Sequence, residues 1–444
     1  MTAPRDVGSR SAGDPYLPNS GNGGYRVTHY DLALRYRVAT NRLDGVATIT
    51  AASTQTLGRF SLDLSRLVAS RVRVDGRKAV ISQAPGKLTV VPATPIPPDT
   101  SFTVTVDYGG TPAPRRSPWG LVGWEELDDG VIVAAQPSGA PTWFPCNDHP
   151  RDKAGYRIRV TTEQAYTVVC NGALVETTVS SGRRTWHYEQ AEPTATYLAT
   201  VQIGRYAHVP IELGEPDGQL VYPQALDARV RQDFGALPGM MAYFESVFGP
   251  YPFAGYTVVV TPDELEIPLE AQGLAIFGAN HIDGVGGSER LVAHELAHQW
   301  FGNSVGLALW QHIWLNEGFA CYAEWLWSEH SGKATADALA RYFHDRLVDA
   351  APLVVVGDPG PADLFDDQIY KRGALMLHAL RLTTGDAAFF ELLREWATRN
   401  RYGTVTTADF RALAAGYHRR SLDALFDEWL FSLPVPALPR RRRR

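Results

Sequence analysis

Residues 292–300 read Val292-Ala293-His294-Glu295-Leu296-Ala297-His298-Gln299-Trp300. On a helix, positions four apart share one face, so His294 and His298 can each turn a ring nitrogen to a single metal ion, about 2 Å away if the ion is zinc. Glu295 is offset around the helix, where it reaches a water on the ion and not the ion itself. The H-E-x-x-H pattern on a helix belongs to this division of labour. With 12 His in 444 residues, the pattern arises by chance in about one or two such chains in a hundred, so a second element has to carry the reading further.

That element is Trp314-Leu315-Asn316-Glu317-Gly318-Phe319-Ala320, on a helix predicted to begin shortly after the first one ends. A catalytic zinc takes three protein ligands and keeps one position open, and Glu317 supplies the third ligand. Two neutral imidazoles and one carboxylate leave the centre net positive, which acidifies a bound water and polarises a carbonyl. Hydrolysis of an acyl bond is the implied reaction. One helical stretch later Glu324 lies on the same face, either as an acceptor for a ligand histidine or as an ordinary surface glutamate.

With 18 residues between His298 and Glu317, and with His294-Glu295-Leu296-Ala297-His298-Gln299-Trp300-Phe301-Gly302-Asn303 followed by Trp314-Leu315-Asn316-Glu317-Gly318, the chain resembles the M1 family of zinc aminopeptidases, the gluzincins. The likeness extends to Tyr25-Arg26-Val27-Thr28-His29-Tyr30-Asp31-Leu32 and to Trp143-Phe144-Pro145-Cys146-Asn147-Asp148-His149-Pro150. It implies a saddle-shaped β domain packed on a thermolysin-like catalytic domain, with one Zn²⁺ per chain. In Ile267-Pro268-Leu269-Glu270-Ala271-Gln272 the family usually reads Gly-x-Met-Glu-Asn, so Glu270 matches the glutamate that binds a substrate's free α-ammonium. Ile267 stands where the family has glycine, placing a side chain on an edge that is usually bare backbone. Gln136 falls where most members carry Glu, beside the substrate N-terminus; a neutral amide accepts a hydrogen bond there but adds no charge. Tyr370, in Ile369-Tyr370-Lys371-Arg372-Gly373-Ala374, matches the tyrosine that stabilises the oxyanion. Members usually continue into a further helical domain, whereas this sequence stops soon after Phe426-Asp427-Glu428-Trp429-Leu430, so a more open cleft is expected.

Outward from these motifs the chain divides. Residues 1–24, ending in Ser20-Gly21-Asn22-Gly23-Gly24, read as a flexible tail. From Tyr25 the pattern has period two: Tyr30, Leu32, Leu34 and Tyr36 alternate with polar or small residues, as do Phe102, Val104, Val106 and Tyr108. Residues 25–207 are therefore expected to form an antiparallel β domain. Residues 208–433 mix short β-branched runs, Thr257-Val258-Val259-Val260 and Leu274-Ala275-Ile276-Phe277, with helical spacing. Helices are expected near 366–382, stopped by Gly385, near 386–400, and from Thr406 or Thr407. Residues 434–444, with Pro434, Pro436, Pro439 and five terminal arginines, read as a solvated tail. The fold class is α+β.

Composition narrows the function. The chain is 45% hydrophobic and 20% charged with a net charge of −6, which fits a globular protein and leaves no basic footprint for a nucleic-acid partner. No apolar run approaches the length of a membrane span, and no apolar leader is visible, so a cytoplasmic protein is expected. Cys146, Cys170 and Cys321 form no CxxC pair and read as free thiols. Gly302-Asn303-Ser304-Val305-Gly306 matches the nucleophile-elbow pattern but directly follows the histidine helix, where an elbow needs a strand. The expectation is a zinc aminopeptidase acting on peptides with a free N-terminus, oligomeric state open. The alternatives are another zinc hydrolase on the same site, such as an epoxide hydrolase, or a non-catalytic scaffold.

Overall fold

A computed structural model describes residues 6–350 and 353–440. The alternation beginning at Tyr25 builds a strand, Tyr25–Arg37, with Tyr30, Leu32, Leu34 and Tyr36 turned into the core. It lies inside an eight-stranded sheet, antiparallel to Arg42–Ser53 and parallel to Ala154–Glu163. The parallel pair departs from the all-antiparallel expectation, because the long stretch between the two strands acts as a crossover and returns the chain in the same direction. That stretch contributes to a three-stranded and a five-stranded sheet closing over the same core. Tyr30, Phe144, Trp143 and Tyr156 fill it with edge-to-face and stacked ring contacts.

The second part opens with another five-stranded sheet, in which Asp217–Tyr222, Gly255–Val260 and Leu274–Phe277 run parallel. Both of its edges are antiparallel, and one is the short strand Leu269–Ala271. Helices follow: Glu289–Ala297, Trp314–His330, Asp367–Thr384, Asp386–Arg399 and Thr407–Ala415 among them. Asp366 and Thr406 cap two of these by accepting from the backbone N–H of Gln368 and Asp409, and Gly385 ends one with φ of 87°. Trp314–His330 and Asp367–Thr384 touch through glycines: a Cβ on Gly318 would lie 2.9 Å from the Cα of Gly373. Only bare backbone on both sides allows that approach, and it sets Glu317 beside the turn carrying Tyr370.

The two tails differ from expectation. Residues 6–24 form no regular element, yet the Trp310 N–H donates to Asp14 at 2.8 Å and the Tyr16 hydroxyl donates to Asp358. Asn22 is held as well, donating to Asp63 and Asn147. Gly- and Ser-rich composition signalled the lack of periodic structure here, while single polar contacts supply the order. Residues 434–438 also dock: Pro434 and Pro436 carbonyls accept from Arg372 and His344, and Val435 and Leu438 pack on the hydrophobic core of the second part. Arg441 to Arg444 lie outside the described residues. Among the described residues no helix is long and apolar enough to cross a membrane, and Cys146, Cys170 and Cys321 are buried and unpaired.

Candidate active site

The helix Glu289–Ala297 packs against Trp314–His330, and the side chains between them interleave. His294, His298 and Glu317 are buried, and one ligand atom from each lies within 4.8 Å of the others. Glu317 Oε2 is 3.5 Å from His294 Nε2 and 3.4 Å from His298 Nε2. The remaining ring nitrogens are engaged elsewhere: His294 Nδ1 is 2.7 Å from Glu324 Oε1, and His298 Nδ1 is 3.1 Å from the Phe301 carbonyl. Those acceptors engage Nδ1–H and so turn both Nε2 atoms to the centre. Two imidazoles and one carboxylate form a donor set that fits zinc.

The electrostatics call for a cation. Burial lowers both histidines, but Glu317 and its neighbours outweigh it, lifting His294 to about 9 and His298 to about 10. Glu317 falls to about 2, since its burial is more than offset by the two histidines. Glu295 is pushed up to about 7, mainly by burial and against the pull of His294 and His298. Its Oε2 is buried with no hydrogen-bond partner. A carboxylate balanced near neutrality, with a free oxygen beside His298, is placed to take up and release a proton.

A second carboxylate joins from the sheet edge. Glu270, on the strand Leu269–Ala271, forms a group with Glu295 and His298 whose ligand atoms lie within 4.8 Å. Gln136 follows the strand Gly130–Ala134 of the other half, and its Nε2 donates to Glu270 Oε1 at 2.6 Å. Burial, opposed by His298, raises the Glu270 carboxyl. Tyr370 stacks on His294 with ring centroids 6.0 Å apart. Burial first, then Glu317, holds its phenol well above the usual range, so it remains a hydrogen-bond donor.

Ile267 is 61% exposed before the edge strand, with Glu270 turned inward two residues past Pro268. Ser304 sits in the turn after the histidine helix, where its carbonyl and that of Asn303 accept from Lys153 Nζ, both at 2.9 Å. Sequence reading missed Lys153, whose ammonium burial lowers to about 7. It also missed the Phe301 carbonyl, a main-chain group with no side-chain signature.

The profile of the Peptidase M1 N-terminal domain matches residues 26–198, and that of the Peptidase family M1 domain matches residues 233–429. A two-domain M1 zinc metallopeptidase solved with L-arginine superposes with a TM-score of 0.90 at 30% identity, covering 97% of this chain and 100% of that one. An M1 zinc metallopeptidase from Deinococcus radiodurans, solved with a Tyr-Ser-Ala substrate, gives the same values of 0.90, 30%, 97% and 100%. Human (Homo sapiens) endoplasmic reticulum aminopeptidase 1 is 25% identical over 422 residues, 86% of this chain and 44% of that protein. The chain thus spans less than half the length of that curated relative. The solved neighbours are zinc metallopeptidases, and with both halves matched the chain belongs to peptidase family M1.

Proposed function

We propose that the chain is a zinc-dependent aminopeptidase, hydrolysing the N-terminal peptide bond of peptides whose amine is free. The observation that carries this reading is Glu270: a half-buried carboxylate beside Glu295 and His298, bonded to Gln136 and outside the three-ligand group. A metal centre for internal bonds has no use for a fixed charge blocking one end of the cleft. His294, His298 and Glu317 hold zinc, which when bound polarises a carbonyl and acidifies water. The substrate ammonium donates to Glu270 and to the Gln136 amide oxygen, so that only the first peptide bond reaches the centre. Glu295 takes the proton of the attacking water and returns it to the leaving amine, and the Tyr370 hydroxyl donates to the developing oxyanion. Glu324 keeps His294 turned inward. The reading is supported by aminopeptidases among the relatives and by the tripeptide seen in a neighbouring structure.

Hydrolysis of aminoacyl anilides that is lost to a chelator and restored by zinc is the expected result. Chelator-insensitive turnover, or activity on epoxides alone, would contradict it. We also place the protein in the cytoplasm, where three buried unpaired thiols stay reduced; recovery outside that compartment on cell fractionation would overturn the placement.

A further inference from the structure

Arg290 stands four residues before His294 and eight before His298, so the three share one face of their helix. Glu317 and Glu324 are seven apart on the facing helix. The two faces interleave as an alternating ladder. Glu317 Oε2 sits 3.4 Å from His298 and 3.5 Å from His294; Glu324 Oε1 sits 2.7 Å from the other nitrogen of His294, and its Oε2 lies 3.0 Å from Arg290 Nη1. Glu324 is 2% exposed at its side chain, whereas Arg290 is 57% exposed and forms the outer rung.

We propose that Arg290 is a positioning residue for the zinc centre, acting through Glu324 on the ring of His294. This rests on the assignment of His294 as a ligand. A carboxylate with one oxygen on an imidazole N–H can still rotate about its own axis; a guanidinium on the second oxygen removes that freedom. His294 then keeps Nε2 directed to the ion without rearrangement on binding. Charge acts in the opposite sense, since a cation near the centre repels zinc. Position and charge therefore give opposite signs when Arg290 is removed. Lys371 also bears on Glu324 electrostatically, so the carboxylate is not left without a positive neighbour when Arg290 is removed.

Groups that orient metal ligands typically change affinity by about 10- to 100-fold. Arg290 is one bond further out and largely in solvent, so an effect of about three- to tenfold is expected. The test is zinc affinity by chelator competition in the full chain, with thermal stability measured alongside. Arg290→Ala should bind zinc about three- to tenfold more weakly at an unchanged melting temperature, and Arg290→Lys should recover part of the loss. In a Glu324→Gln background the same substitution should have no further effect. Unchanged or tighter zinc binding by Arg290→Ala, or an equal loss in the Glu324→Gln background, overturns the proposal. His294→Ala serves as the control: if it binds zinc like the parent, the ligand assignment itself fails and this inference with it.

Discussion

Gln136 and Glu270 touch at 2.6 Å, and this contact decides what a second carboxylate would do at the amine end of the site. In Gln136→Glu two carboxyl oxygens would meet at that distance, and one of them would hold a proton at neutral pH, cancelling the added charge. KM for a free-amine anilide at pH 7 is therefore expected to stay within about threefold of the parent, a span worth under about 0.7 kcal/mol. A tenfold tighter KM would show that both groups ionise together. Glu295→Gln tests a different residue. Its zinc content should match the parent while kcat falls by about a hundredfold or more, because a positioned base typically supplies 10²- to 10⁴-fold; near-normal turnover in the zinc-loaded variant would remove Glu295 from the chemistry. The ligand spacing is legible in sequence because helical period converts it directly into geometry. The holder of His298 is not, being the carbonyl of Phe301.

Gly318 and Gly373 decide how closely two helices approach. A methyl added at Gly318 meets Gly373 Cα at 2.9 Å, and one at Gly373 meets Gly318 Cα at 2.8 Å, with backbone on both sides and nothing flexible to yield. Gly318→Ala is expected to cost about 1–3 kcal/mol in denaturant unfolding, as overpacking does elsewhere. It should also lower kcat, since Tyr370 rides on the displaced helix; unaltered stability and turnover would mean that the contact does not position the site. Helix ends such as Asp366, Gly385 and Thr406 were readable from capping chemistry. The glycine crossing was not, because close approach depends on two segments separated by more than fifty positions, and neither glycine alone announces its partner.

On the scale of the whole molecule, the N-terminal segment and the β core meet around buried polar groups. Asp63 pairs with Lys87 at 2.5 Å and accepts from Asn22, while Asp148 accepts from Thr196 at 2.7 Å and leaves Oδ2 buried without a partner. Burial, then the charge of Asp63, pushes Asp148 up to about 7 from 3.8. Its folded pKa lies above its unfolded one, so between about pH 4 and 7 the folded state binds more protons and stability falls as pH rises. Asp148→Asn keeps the shape and removes the titration. It should unfold like the parent near pH 4 and be more stable by about 1–3 kcal/mol at pH 8. Urea unfolding across that range checks this, and identical pH profiles would contradict it. Such contacts also explain the misread tail: residues 6–24 have no hydrophobic period to read, and their order comes from single bonds such as Asp14 to Trp310, made across nearly three hundred positions.

The most direct measurement compares kcat/KM for one tripeptide with a free and with an acetylated N-terminus, on the zinc-loaded protein. Acetylation removes the ammonium and leaves Glu270 buried and unpaired on binding, a loss of about 2–5 kcal/mol for a charge pair broken on one side. The free peptide should be cleaved at least about thirtyfold more efficiently, only at its first bond. Equal cleavage of the two forms, or cuts at internal bonds, would contradict the aminopeptidase assignment and leave Glu270 without the role given to it.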